Sequence, residues 1–219
     1  MSPRPRTKPN EDILAATATV IGRVGPARFT LADVAAEVGL SPATLVQRFG
    51  SKRGLLLALA QGSVGYAEAC FAAVRAAHAS PLDALLSAAT EMTRHTRSPE
   101  EMANHLAFLQ IDLSDPDFHR LAVEMTRGNL AGYRALLDEA VATGELIPCD
   151  TTRLSFVIEA IAGGALISWA ILREGTSEAW VREDLETLLE PYRKQNGKRA
   201  ARKAKKVTRR KTTSRRKRR

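Results

Sequence analysis

Apolar residues recur along this chain at three- and four-residue spacing, and no stretch shows sustained period-two alternation, so the pattern is helical throughout. Leu31, Val34, Ala35 and Val38 make one such stripe, and Val181, Leu185, Leu188, Leu189 and Tyr192 make another at i, i+4, i+7, i+8 and i+11. Four prolines directly follow a capping residue, in Ser41-Pro42, Ser80-Pro81, Ser98-Pro99 and Asp115-Pro116. Proline suits the first helical position, where its missing N–H would be unpaired anyway, so each pair reads as a helix start. Thr30-x-x-Asp33, Ser80-x-x-Asp83 and Ser98-x-x-Glu101 add capping-box spacing. Gly144 and Gly175 stand where glycines close helices. The prediction is an all-α chain of about nine helices, over 10–24, 31–37, 42–48, 52–78, 82–95, 99–112, 116–142, 151–173 and 178–192.

The second and third helices form a unit. Gly39 makes a tight turn between them, Ser41 caps the third, and Leu45 and Phe49, four apart, face inward while small Ala35 permits a close crossing. Pro42, Ala43, Thr44, Gln47 and Arg48 are then left at the outer side of a short helix, small and polar enough to meet base edges and phosphates in a major groove. Thr30 and Ser41 serve as caps, and helix N-termini also present N–H groups to phosphates. The spacing predicts a helix-turn-helix.

With the helix over 10–24 before it and Phe49-Gly-Ser-Lys-Arg-Gly-Leu-Leu after it, this window resembles the N-terminal pattern of the TetR (tetracycline-repressor-like) family of bacterial transcription regulators. The matching positions are Thr30, Asp33, Val34, Ala35, Gly39, Leu40, Ser41, Thr44, Leu45, Phe49, Lys52 and Leu55. The resemblance implies a three-helix DNA-binding domain over 10–55, behind a basic arm at 1–9 that carries Arg4 and Arg6, and a larger helical effector-binding and dimerisation domain over 56–192. It also implies that Lys52 contacts a DNA phosphate. Where the family commonly has tyrosine on the recognition helix, this chain has Val46, which can offer only an apolar contact such as one to a thymine methyl.

The eighth helix is apolar around its whole circumference, through Phe156, Val157, Ile158, Ile161, Leu166, Ile167, Trp169, Ile171 and Leu172, and is expected to be buried on all sides. Gly163-Gly164 allows close approach of a partner. The resemblance implies a homodimer through a four-helix interface of the last two helices, with Phe156, Ile161, Gly164, Ile167, Val181, Leu185, Leu188 and Tyr192 at the contact. It further places Met92, His95, Met102, His105, Phe108, Phe118, Met125, Tyr133 and Trp169 on helices that line an effector pocket suited to a hydrophobic small molecule. His95, His105 and His119 are spaced unlike ligands on one helix face, so no metal and no cofactor is expected. No Gly-x-Ser-x-Gly, phosphate-binding glycine loop or HExxH occurs, and no enzyme is expected.

Charge then divides the chain. Residues 193–219 hold sixteen Lys/Arg and no Asp or Glu; the remaining seventeen against twenty-four acidic residues leave residues 1–192 at −7, within an overall +9. Such a tail is expected to be disordered alone and to bind DNA without sequence preference at low salt. The expected function is a dimeric repressor on a palindromic double-stranded operator, released by an effector, with the tail adding nonspecific affinity; the alternative is a nucleoid-associated, DNA-compacting protein driven by the tail. Cys70 and Cys149 match no disulfide framework, and the N-terminus has no apolar signal region, which points to a cytoplasmic, nucleoid-associated protein. The span 154–172 carries only Glu159 as a charge, but that carboxylate and Gly163-Gly164 argue against a membrane helix.

Overall fold

The computed structural model describes residues 8–194 except 92, 94 and 95. Among the described residues the elements are α1 (Asn10–Val24), α2 (Leu31–Val38), α3 (Pro42–Phe49), α4 (Lys52–Ala77), α5 (Pro81–Glu91), α6 (Pro99–Ser114), α7 (Pro116–Ala142), α8 (Thr151–Leu172), α9 (Ser177–Leu189) and a 3₁₀ turn, Glu190–Tyr192. The fold is all-α, with one isolated antiparallel bridge, Leu146 to Arg193, among these residues.

The helix starts follow the local capping chemistry. Ser41, Ser98 and Asp115 accept from the backbone N–H groups of Thr44, Glu101 and Asp117. Two expected ends move. Helix α5 stops at Glu91 rather than running to 95, and the chain then turns through Thr93 N–H to Thr90 O (3.0 Å) and Thr96 N–H to Thr93 O (2.8 Å). The Thr93 hydroxyl donates to the Thr90 carbonyl as well, a local bond of the kind that competes with helix continuation. Helix α9 tightens into the 3₁₀ turn where Pro191 supplies no N–H. The chain after it does not leave the globule at 193: Ile147 N–H donates to Tyr192 O and Lys194 N–H to Glu145 O, so Arg193 and Lys194 belong to the body.

Two apolar clusters hold the molecule. One gathers Phe71, the α5 residues Leu82, Leu85 and Leu86, the α7 residues Tyr133, Leu136 and Leu137, and Ile158, Val181, Leu185 and Leu189. The other joins Ile13, Val20, Phe29, Val34, Leu45 and Leu55 to Phe118 of α7, with Phe108 and Ile111 of α6 packed against it. Helix α4 runs unbroken through residue 55, and the second cluster extends beyond that position to Leu56, Leu57, Leu59 and Ala60. The three N-terminal helices therefore share their core with α4, α6 and α7.

Tyr133 meets Phe71 edge-on at 5.0 Å between ring centres. Gly132 makes this approach possible, since a Cβ there would lie 2.4 Å from the Phe71 ring. Gly132→Ala is expected to destabilise the fold by about 1–3 kcal/mol despite the better helix propensity of alanine, because the ring has no free side to move toward. Urea unfolding followed by circular dichroism measures this; an unchanged midpoint refutes it.

Within the single chain, helix α8 is covered on one side and open on the other, as expected of a helix that meets both its own core and a partner. Ile158, Ala165 and Trp169 face the protomer's own core, while Phe156 (51% exposed), Ile167 (41%) and Ile171 (73%) stand on the outside. Helices α4 and α8 are both long and apolar enough to cross a membrane by length and composition. Here each packs within the helical bundle, α8 against α6, α7 and α9.

Candidate nucleic-acid interface and adjoining cavity

Helix α2 opens with a complete capping box: Thr30 N–H donates to Asp33 Oδ2 (2.7 Å) and Asp33 N–H donates to Thr30 Oγ1 (3.2 Å). The Thr30 hydroxyl also donates to Asp33 Oδ2 (2.7 Å), and this bond, followed by the one from Thr30 N–H, holds the Asp33 carboxyl below its usual pKa. Gly39, at φ 69°, ends the helix in the left-handed region, and Leu40 N–H reaches back to Ala35 O at 2.8 Å. This is the 6→1 bond of a Schellman turn, and it sets the angle at which α3 leaves.

On α3, Leu45 is fully buried, and Pro42, Ala43, Val46 and Gln47 are exposed. Val46, 48% exposed, is an aliphatic side chain on the open side of the helix. Thr44 is half-buried and its hydroxyl shares a 2.9 Å hydrogen bond with Ser41 Oγ. Of the side chains proposed to meet DNA, Arg48 and Lys52 are the two with protein partners that sequence spacing did not reveal. Arg48 donates to the Lys8 carbonyl, 40 residues away, and approaches Asn10 Oδ1, so it ties the start of α1 to α3. Lys52 Nζ donates to Ala27 O at 2.9 Å and sits 4.4 Å from the centre of the Phe29 ring, bracing the linker between α1 and α2. Arg4 and Arg6 lie outside the described residues.

Two further contacts join this unit to the rest of the bundle, and neither was among the residues singled out from the sequence. Arg53 donates to both Asp115 oxygens (3.0 Å) and to Asp117 (2.7 Å) at the start of α7, and its guanidinium lies 5.6 Å from the Phe118 ring centre. Asn104 Nδ2 of α6 donates to Gly22 O of α1 at 2.7 Å. The nearest signal in the sequence was the Asp115-Pro116 cap itself, which marks a helix start and not the residue it pairs with.

Beside Asn104 opens a cavity of about 300 Å³, at the small end of ligand sites. Helix α1 contributes Ala18, Ile21 and Gly22; α4 contributes Leu59, Ala60 and Ser63; the other walls come from α6, α7 and Leu166 of α8. Of the nine residues placed at an effector pocket from the sequence, His105, Phe108 and Met125 line this cavity. The others do not meet there. Tyr133 is 1% exposed and set edge-on to Phe71 in the larger core; Met102 is 3% exposed; Phe118 closes the core beneath the N-terminal helices; and Trp169 is buried and donates to Gly175 O. Each is large and apolar, and core burial draws on the same residue types as a pocket wall. Met92 and His95 lie outside the described residues. No three His, Cys, Asp or Glu side chains among the described residues are grouped to hold a metal ion.

The residues placed at a dimer contact also divide. Phe156, Gly164 and Ile167 are exposed on α8. Val181 and Leu185 are fully buried in the protomer's own core, and Ile161, Leu188 and Tyr192 pack partly against it. The α9 stripe read as an interface is the face by which α9 docks on its own chain, while its outer face carries Glu183, Asp184 and Glu186. An amphipathic stripe reports burial and does not tell which surface buries it.

Residues 13–59 match the family described as bacterial regulatory proteins, tetR family. No curated protein matches the chain. Among solved structures, a TetR-family transcriptional regulator from Agrobacterium tumefaciens is 21% identical, with 84% of this chain and 97% of that one covered and a TM-score of 0.67. A TetR transcription regulator from Haloarcula marismortui is 16% identical, with 84% and 98% covered and a TM-score of 0.70. A transcriptional regulator from Saccharomonospora viridis, solved in complex with choline, is 20% identical, with 85% and 98% covered and a TM-score of 0.69. With its capping box, Schellman turn and short outward-facing third helix, the segment 13–59 is the helix-turn-helix domain of the TetR family of bacterial regulatory proteins, carried on the fold those solved regulators share.

Proposed function

We propose that this protein is a dimeric, effector-controlled repressor that reads a palindromic operator with the exposed face of α3. The observation that carries this reading is the cavity's position: α1, which packs on α2 and α4 beneath the reading helix, forms one of its walls. A molecule wedged between Gly22 and α6 has to move Asn104 against Gly22 and Gly25, where a Cβ at Gly25 would already lie 2.6 Å from the Asn104 side chain. A tight contact of this kind transmits displacement to the reading head, and across a dimer it changes the spacing of the two α3 helices. The choline complex of the Saccharomonospora viridis regulator accords with a small-molecule effector on this fold. Pro42, Ala43, Val46 and Gln47 are the base-facing candidates; Thr30, Ser41, Thr44 and Lys52 position the phosphates, with Arg4 and Arg6 following the arm.

Dimerisation rests on the exposed apolar face of α8, from Phe156 through Ala160 and Gly163-Gly164 to Ile167 and Ile171. An uncovered stripe of this length is the expected mark of an interface. The basic segment 193–219 then supplies nonspecific phosphate affinity, while α3 chooses the site.

The test is selection of genomic fragments by the full chain and by a chain ending at Lys194, both at about 150 mM salt, where nonspecific binding is suppressed. Both are expected to recover one palindrome, with a preference over random DNA of about 10³-fold or more, and the shorter chain to show a flatter salt dependence. Recovery of nothing by the shorter chain, while the full chain binds all fragments alike, replaces this reading with a DNA-compacting protein driven by its basic tail.

A further inference from the structure

Helix α6 is built the wrong way round for a helix whose only task is packing. Leu106, Leu109 and Leu113 are 39%, 40% and 70% exposed. The cavity instead receives Glu101, His105, Phe108 and Asp112, spaced i, i+4, i+7 and i+11, which is one continuous stripe of the same helix. Turning three leucines to water and two carboxylates inward forgoes hydrophobic burial and adds desolvation, so the stripe needs a reason other than stability.

The rest of the lining supplies that reason. The walls from α1, α4, α7 and α8 contribute Ala18, Ile21, Gly22, Leu59, Ala60, Ser63, Leu121, Ala122, Met125 and Leu166, and Thr96 completes the set; among the described residues no Lys or Arg faces the cavity. Glu101 already accepts from Arg97 N–H. Asp112 has no hydrogen-bond or ion-pair partner among the described residues. The site therefore combines an apolar, aromatic wall with an uncompensated carboxylate.

We propose that this cavity binds a small organic cation, a protonated amine or quaternary ammonium with an apolar body, whose charge is held by Asp112 and whose body packs against Phe108, Met125 and Leu121. The inference rests on the reading of the cavity as the effector site and names the chemical class it takes. A cation repairs the unpaired carboxylate, and the ring of Phe108 adds a face to which a cation is attracted. A neutral or anionic ligand of the same shape leaves Asp112 desolvated and unpaired. Burial alone pushes the Asp112 carboxyl up to about 6 and lowers the His105 imidazole, so near pH 7.5 His105 is neutral and Asp112 is charged. Because the folded-state value of Asp112 is raised, its contribution to stability declines as pH rises from about 4 toward 6 and stays unfavourable above that. Asp112→Asn should accordingly fold and melt somewhat higher than the parent at pH 7.5, an expected conflict between stability and binding.

The test uses the full chain, phenyltrimethylammonium, and its uncharged isostere tert-butylbenzene, with affinities from ligand-observed NMR at pH 7.5. The cation is expected to bind at least tenfold more tightly than the isostere, and D112N to reduce that preference to threefold or less. In the parent protein the preference should also shrink at pH 5, where Asp112 takes up a proton and the quaternary ammonium cannot; this arm needs no variant. Equal affinity for both probes, binding of neither, or a preference unchanged in D112N and at pH 5 overturns the proposal. Operator affinity measured on the same samples separates the two readings: a cation that binds as described but leaves DNA affinity unchanged sinks the effector switch and leaves the ligand class standing.

Discussion

Gly54→Ala is expected to weaken specific DNA binding by roughly a hundredfold or more while leaving the larger core folded, since losing even two good base contacts costs that much. Gly54 is the third residue of α4, and the side chain of Ser51 caps that helix by accepting its N–H at 3.0 Å. An added Cβ would lie 1.9 Å from the carbonyl oxygen of Phe49, the last residue of the reading helix. That obstacle is backbone, so no side-chain rotation relieves it, and α3 must tilt or shift relative to α4. The cluster formed by α5, α7, α8 and α9 takes no part in the contact. Gly65→Ala in the same helix is the control: nothing lies within 4 Å of its Cβ position, and it should be neutral or stabilise by about 0.5–1 kcal/mol through helix propensity. Operator titration and thermal melting of both variants decide the matter, and a Gly54→Ala protein with parental affinity contradicts the proposed role of the α3–α4 junction.

Ile167→Glu is expected to raise the dimer dissociation constant by about a hundredfold or more and to abolish cooperative binding to a palindrome, because two-fold symmetry places a carboxylate from each subunit in an apolar contact. Ile167 is 41% exposed in the protomer, so the substitution should leave the unfolding of the isolated subunit nearly unchanged. Sedimentation equilibrium separates the effects. Leu113→Glu on α6, at a position 70% exposed, serves as a comparison that should leave association intact. If Leu113→Glu dissociates the protein and Ile167→Glu does not, the interface lies on α6. Val181→Glu is no substitute, since Val181 is fully buried among α9, α8 and α5 and the change would unfold the chain.

These two sites differ in how visible they are in the amino-acid order. The recognition unit is built from contacts three to five residues apart: Thr30 with Asp33, Leu40 with Ala35, Ser41 with Thr44. Such contacts carry their own spacing, which is why the helix-turn-helix could be read directly; of the outer set read from it, Pro42, Ala43 and Gln47 are exposed, while Thr44 and Arg48 are half-buried. Gly54 escaped notice because its requirement is space and not conformation; its backbone is ordinary helix, and only the fold brings Phe49 O against it.

Sequence by itself determined the helical class, the helix starts at capped prolines, the recognition motif, and the separation of a basic C-terminal segment from an acidic body, because capping, period and charge are local properties. Tertiary structure alone decided orientation. It turned Val181 and Leu185 of α9 into the protomer core, left Phe156 and Ile167 of α8 outside, and moved Tyr133 and Trp169 away from the cavity. It engaged Arg48 with Lys8 and Lys52 with Ala27 across 40 and 25 residues. It also faced Glu101 and Asp112 inward past three exposed leucines. A helix with apolar and polar residues on several sides has more than one stripe that could be buried, and the choice among them is made by the surfaces of the helices it meets.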